Sequence, residues 1–373
     1  MEPVTHFLTG ACIGRAGFNR RTAYATLAAT LAAEAPDIDV LWGLGGPIVS
    51  FQHHRGITHT FIAAPFVALA TTCLIWLLDR FFSRWLVSRK VAEPQPIRWL
   101  WLWFTALIAT LSHLLLDWTN NYGLRPFFPF NARWYSADLV FIAEPIMWLL
   151  LVLALLLPAI FGLADREIGA RSTRFRGRGW AIFALSGIVL LWCVRWAMQA
   201  EARNLVSAPE VTDVPVTRIA LEPYPVNPFR WHAILETETS WQIAEVDTHT
   251  GAVQTDSHTD SLLKPAYTPA VATARQTRLG QVYLDWAQWP VVRDLGPRTI
   301  PATTAPSLGP GRQWSAVQFA DLRFAYNFLD TLTINGSSQP LDPLLLKSPI
   351  AGWVYIIDGH EDGGQFMNGH EQK

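Results

Sequence analysis

The sequence predicts a membrane all-α helical bundle of about five spans plus a short N-terminal helix, followed by a small, mostly-β extramembrane domain. Three observations predict it. First, about 50% of the 373 residues are hydrophobic and only 16% are charged, against roughly 25% charged in an average soluble domain, and mean hydropathy is +0.19. Second, the apolar residues are unevenly spread: of 18 tryptophans, all but six precede residue 200. Third, four apolar runs, at about 57–78, 98–118, 139–163 and 179–199, reach the roughly 20 residues that a bilayer core demands. The expected division is a membrane bundle over 1–200 and a β-rich domain over 201–373.

In chain order, 4–13 is too short to span and suits a re-entrant or interfacial helix. The stretch 22–44 is Ala-rich and helical in pattern, and it carries Glu34, Asp37 and Asp39, so it reads as a fifth, polar-tipped span. The N-terminus lacks the basic residues of a secretory signal, and the first helices are expected to direct insertion themselves. Basic residues gather at 15–21, 80–98 and 166–178, which the positive-inside rule places in the cytoplasm. Segments 45–56 and 119–138, and everything after about 200, then lie on the outer side. Beyond 200, alternating runs at 230–237, 241–247, 281–286, 316–324 and 353–358 read as strands, with a turn at Thr250-Gly251. Residues 363–373 read as a frayed polar tail.

A formal charge of −1 gives no basic field for a phosphate backbone, so nucleic acid is not expected as a partner. Cys12, Cys73 and Cys193 are odd in number and far apart, which excludes a disulfide framework or a thiolate zinc cluster. The expected surroundings are lipid.

Ionisable residues at membrane depth are costly and therefore conspicuous. The first 200 residues hold His6, then Glu34, Asp37 and Asp39 in EAPDID, His53, His54, Arg55 and His59 in HHRGITHT, His113 and Asp117 in SHLLLDWTNNYG, and Asp138 and Glu144 in YSADLVFIAEP. His113 and Asp117 are four apart, which on a helix puts both on one face. With the basic loops inside, all of these motifs fall at the outer ends of their helices. Imidazole and carboxylate groups without thiolate suit Zn²⁺, Mn²⁺ or Fe²⁺, in a set large enough for one or two ions. A metal-activated water there implies hydrolysis. Arg55 is a candidate clamp for an anionic substrate, and Asp39 or Asp117 a candidate base.

Taken singly, each of these residues has a plainer explanation. A lone membrane histidine or acid, such as His6, Asp138 or Glu144, is commonly a helix-packing partner, and Asp117 has Arg125 within reach as a pairing alternative. His53 suits a role behind a ligand rather than as one, as do Glu34, Asp138 and Glu144. Tryptophans at run ends suit an interfacial belt, and the arginines at 171–178 a topology signal. His232, His249, His258, His360 and His370 read as surface residues. The alternative functions are a cation or proton transporter, which would spread ionisable groups through the bilayer depth, and a non-catalytic scaffold with a structural His/Asp cluster.

The order His6, PDID, HHRGITHT and SHLLLD followed by NNYG resembles the YdjM-type family of bacterial inner-membrane proteins, to which metal-dependent hydrolysis is ascribed. The resemblance covers roughly residues 1–165 and continues weakly through YPVNPFRW at 224–231. It implies a bacterial inner-membrane location and candidate metal ligands at His6, Asp37, Asp39, His54, His59, His113 and Asp117. The family's distant similarity to zinc-dependent phospholipase C implies zinc and a phosphoester or other ester of a lipid or envelope component. Glu144 departs from the aspartate expected of the family.

Overall fold

The computed structural model describes residues 1–86, 95–167, 176–208, 211, 214–255, 261–300, 306, 311–325, 345, 348–361 and 363–372. The basic positions 89, 90, 171 and 174 lie outside the described residues. Helices come first: α1 (Pro3–Ala16), α2 (Ala25–Glu34), α3 (Pro47–His53), α4 (Ala64–Leu86), α5 (Trp99–Thr119), α6 (Pro145–Glu167) and α7 (Arg178–Val206). Strands and two short helices follow: β1 (Arg218–Pro223), β2 (Arg230–Glu236), β3 (Ser240–Asp247), β4 (Ala252–Gln254), β5 (Ser261–Leu263), α8 (Pro269–Gln276), α9 (Arg278–Trp286), β6 (Pro290–Asp294), β7 (Trp314–Asp321), β8 (Gly352–Ile357), β9 (Gln365–Met367) and β10 (His370–Glu371). The chain forms two compact units, one of Met1–Asp39 with Arg55–Trp196, the other of Val40–His54 with Ala197–Lys373.

In the first unit, α4, α5, α6 and α7 contain stretches long and apolar enough to cross a membrane, namely Ala64–Phe81, Trp99–Thr119, Pro145–Asp165 and Arg178–Val206. The fifth span expected over 22–44 does not form. Helix α2 has only 10 residues, about 15 Å at 1.5 Å per residue, half of a bilayer core of about 30 Å. Pro36, which offers no N–H to the α ladder, follows its end, and the chain continues as a 3-10 stretch over Ala35–Gly45. Helix α4 starts later than the apolar run because a 3-10 turn, Ile57–His59, precedes it, and the Thr60 hydroxyl accepts the Ala63 N–H at 3.0 Å.

Helix α1 reaches α2 through glycine. A Cβ on Gly10 would stand 2.5 Å from the Ala29 carbonyl oxygen, and one on Gly14 2.5 Å from Thr26 Cα. Two small residues one turn apart let the backbones approach closely, as in membrane helix pairs. An alanine seam of Ala29, Ala32, Ala33, Ala68, Ala106 and Ala109 then joins α2 to α4 and α5. On its other side α1 packs through Cys12 against Leu116, Met147, Leu151, Ala184 and Ile188 of α5, α6 and α7.

The second unit is built on two antiparallel five-stranded sheets. One has the order β1-β2-β3-β4 with β5 also paired to β3; the other runs β10-β9-β8-β7-β6. Side chains of both sheets, including Ile234, Ile243, Val291 and Ala320, share one core. On the opposite face of the first sheet, Leu221, Trp231 and Ala233 meet Ala202 and Val206 at the end of α7.

Three expectations change in this unit. Residues 281–286 are helical, within α9. Leu279, Tyr283 and Trp286 are buried there at helical spacing, and the Thr277 side chain caps the helix by accepting the Gly280 N–H at 3.1 Å. Of the segment expected to be frayed, 363–373, the described residues 363–372 are ordered into strands: Gly352, Trp353 and Val354 of β8 pair with Met367, Phe366 and Gln365, and β10 pairs with β9; residue 373 lies outside the described residues. His232 is buried, at 2% exposure, with Nδ1 3.0 Å from Glu245 Oε1.

Candidate metal centre

The end of α2 sets the site. A helix leaves its last carbonyls without backbone partners, and Pro36 removes the N–H that would have met Ala32. Helix α5 answers with side chains one turn apart: the Thr110 hydroxyl donates to Ala32 O at 3.3 Å, and His113 Nδ1–H donates to Ala33 O at 2.6 Å. A carbonyl can only accept, so the proton sits on His113 Nδ1 and Nε2 carries a lone pair. One turn further along α5, Asp117 projects from the same buried face.

The 3-10 turn before α4 brings His59 to that face. Its Nδ1 lies 3.1 Å from the Thr58 hydroxyl and 3.4 Å from Asp39 Oδ2, polar groups behind the ring that turn Nε2 forward. The two Nε2 atoms, of His59 and His113, then face one another at 3.0 Å. Asp37 Oδ1 lies 3.3 Å from the first and 3.6 Å from the second. Asp117 Oδ2 lies 3.4 Å from each, buried and without a hydrogen-bond donor. Two imidazole nitrogens and two carboxylate oxygens point at one another, as they do around a cation. A tetrahedral ion with bonds of about 2.0–2.1 Å needs ligand atoms about 3.3–3.4 Å apart; these five separations lie near that value, and all four atoms lie within 4.8 Å of one another. Asp37, His59, His113 and Asp117 therefore form a group that fits a divalent metal.

The second oxygen of Asp117 is held from behind. Arg55 Nη2 donates to Oδ1 at 2.9 Å, the Met1 amino group meets the same atom, and His6 Nε2 lies 3.3 Å from it. Arg55 has a left-handed backbone, with φ of 51°, and is 2% exposed. Its Nη1 donates to Asn120 Oδ1 at 3.2 Å and Gly123 O at 3.0 Å, and its backbone N–H to Asp39 Oδ2 at 2.7 Å. Its guanidinium lies over the Tyr122 ring. The sequence's turn NNYG thus serves as the socket for Arg55, and Arg125 stacks over Phe128 and Trp134.

Charge follows position. Burial works against ionising Asp37, but the adjacent His59 and His113 outweigh it, and its carboxyl lies well below the usual range. Burial pushes His59 down, the neighbouring Asp37 restoring part of the shift. Burial, with His113 beside it, lowers His6 to about 3. These rings are neutral at pH 7, as ligation requires. Glu34 is pushed up to about 7, first by burial and then by the charge of Asp37.

The remaining candidates lie outside the group of four. His6 stacks on His113, with ring centroids 3.8 Å apart. Asp39 stands behind His59. His53 stacks on Trp42 at 4.3 Å, and His54 caps the end of α3, its N–H donating to Ser50 O at 2.8 Å; both belong to the second unit. Asp138 is half-buried with φ of 52°. Glu144 is fully buried and accepts from Arg195 Nη2 at 2.8 Å, a pair that sequence reasoning missed although an arginine inside a span is itself a signal. The roles of the Ala33 carbonyl and Thr110 were also missed, and Pro36, three residues beyond Ala33, was the available clue.

Among relatives, residues matched over 157 positions show 28% identity to the uncharacterized protein YfhP of Bacillus subtilis (strain 168), covering 40% of this chain and 43% of that protein. The match therefore spans less than half of that relative's length. No solved structure matches the chain. The family described as YdjM inner membrane protein matches residues 1–202, which include all four grouped side chains, and the chain belongs to that family.

Proposed function

We propose that Asp37, His59, His113 and Asp117 hold one divalent cation, and that the protein is a membrane-bound hydrolase of a phosphoester or other ester from a lipid or envelope component. The observation that carries this reading is the convergence of two Nε2 atoms and two carboxylate oxygens within 4.8 Å of one another, each nitrogen 3.0–3.6 Å from the other three atoms. A donor set without thiolate suits zinc, with manganese and iron as alternatives. A divalent ion held there lowers the pKa of a water molecule towards neutrality and polarises a phosphoryl or carbonyl oxygen. The chain's own residues prepare the site: the Ala33 carbonyl orients His113, Thr58 and Asp39 stand behind His59, and Arg55 holds Asp117. Arg55 then acts as a positioning residue rather than as a substrate clamp. Asp37, with a side chain 24% exposed, marks the side from which a substrate approaches. The distribution of basic loops supports an outer-face position for that side.

A second reading has its own support, because four protein ligands at tetrahedral spacing are also the pattern of a closed, structural metal site. Detergent-purified protein is expected to hold one transition metal per chain, and His113→Ala or Asp117→Asn to lose it. Asp39→Ala, which removes the carboxylate behind His59 and the acceptor of the Arg55 backbone N–H, is expected to weaken metal affinity by about 10–100-fold in chelator competition. Less than one metal per chain after supplementation overturns the metal reading. Full metal content with no turnover of phosphodiester, phosphomonoester or carboxylester substrates favours the structural one.

A further inference from the structure

On the last turns of α5 lies an apolar groove of about 410 Å³, within the roughly 300–1,000 Å³ of small-molecule pockets. Leu111, Leu115 and Trp118 line it from α5, Phe61 from the segment after the 3-10 turn, and Phe127 and Tyr135 from the loop after α5. These α5 side chains stand on the exposed face of the helix, whereas His113 and Asp117 project from the buried face.

Five of these side chains are exposed, from Leu111 at 37% to Phe61 at 50%. Leu111, Leu115 and Trp118 belong to the end of a candidate span, Trp99–Thr119, where the surrounding solvent is hydrocarbon giving way to headgroups. Trp118 and Tyr135 are residue types suited to that boundary. The rim supplies the charge. Arg133 is exposed, and its guanidinium lies 5.6 Å from the centroid of the groove-lining Tyr135 ring. A cation at the mouth of an apolar groove, at headgroup level, complements an anionic phosphate on an acyl chain.

We propose that this groove binds one acyl chain of an anionic phospholipid, with its phosphate at Arg133.

The test uses the full chain in lipid nanodiscs with phosphatidylglycerol carrying a photoreactive acyl chain. Label is expected on peptides containing Phe61 and Leu111–Trp118. Leu115→Trp, which fills the groove from an exposed position, is expected to reduce labelling about tenfold, the equivalent of about 1.4 kcal/mol, with metal content unchanged. Leu149→Trp, at an exposed position of α6 away from the groove, serves as the control and is expected to label as the parent does. Arg133→Glu is expected to remove the preference for phosphatidylglycerol over phosphatidylcholine. Equal labelling of the two tryptophan variants, or label spread evenly over α6 and α7, overturns the groove.

Discussion

His113 and His59 present the same ring atom to the same point, but different chemistry turns them. One donates Nδ1–H to a carbonyl stranded at the end of α2, the other faces a carboxylate. The i, i+4 spacing of His113 and Asp117 was legible because both lie on one helix. No periodicity links His59 to Asp37, so composition suggests their meeting without fixing it. Arg55 illustrates the limit: its position between histidines suggested an anion clamp, while its four protein partners are Asp39, Asp117 on α5, and Asn120 and Gly123 in the turn that follows. Glu34 offers a test of the electrostatics. Its folded pKa of about 7 lies above the ordinary value, so its contribution to stability is complete below pH ~4.5 and is lost as pH rises towards 7. Metal-free Glu34→Gln is expected to match the parent in thermal unfolding at pH 4.5. At pH 8 it should exceed the parent by about 1 kcal/mol, after allowance for solvent screening. An equal gap at both pH values would contradict the assignment.

At the scale of elements, the short helices α1 and α2 do what length alone does not predict. Neither crosses a bilayer, yet α2 carries the carbonyls that orient His113, and α1 brings His6 onto its ring. Their close contact depends on Gly10 and Gly14. Gly14→Val is expected to cost about 1–3 kcal/mol by overpacking, read as a lower unfolding midpoint in detergent, and to weaken metal retention because α2 shifts with its carbonyls. Unchanged metal affinity in a destabilised variant would show that the α2 end does not set the site. The expected span at 22–44 and the expected strand at 281–286 failed for related reasons. Apolar content fits both a span and a short packed helix, and a short apolar run fits both a strand and a helix. Pro36 decided the first and the cap at Thr277 the second.

Across the whole molecule, the uneven distribution of tryptophan and charge corresponds to two regions, helical and then β-rich, with four candidate spans in the first. Because the positive-inside rule acts through short loops, the basic segments predict that the chain beyond α7 is outside. A reporter that is active only outside the cytoplasm, fused at the C-terminus, is expected to give signal; a cytoplasmic readout would reverse the orientation. The sequence by itself determined the membrane class, the four long apolar helices, the pairing of His113 with Asp117 and the family resemblance, because each depends on local composition or on spacing along one helix. Tertiary structure alone decided which acids and imidazoles meet, which nitrogen each ring presents, what Arg55 holds and where a groove opens. Those depend on backbone carbonyls and turn geometry contributed by segments distant in the chain, and a sequence pattern carries no direct record of them.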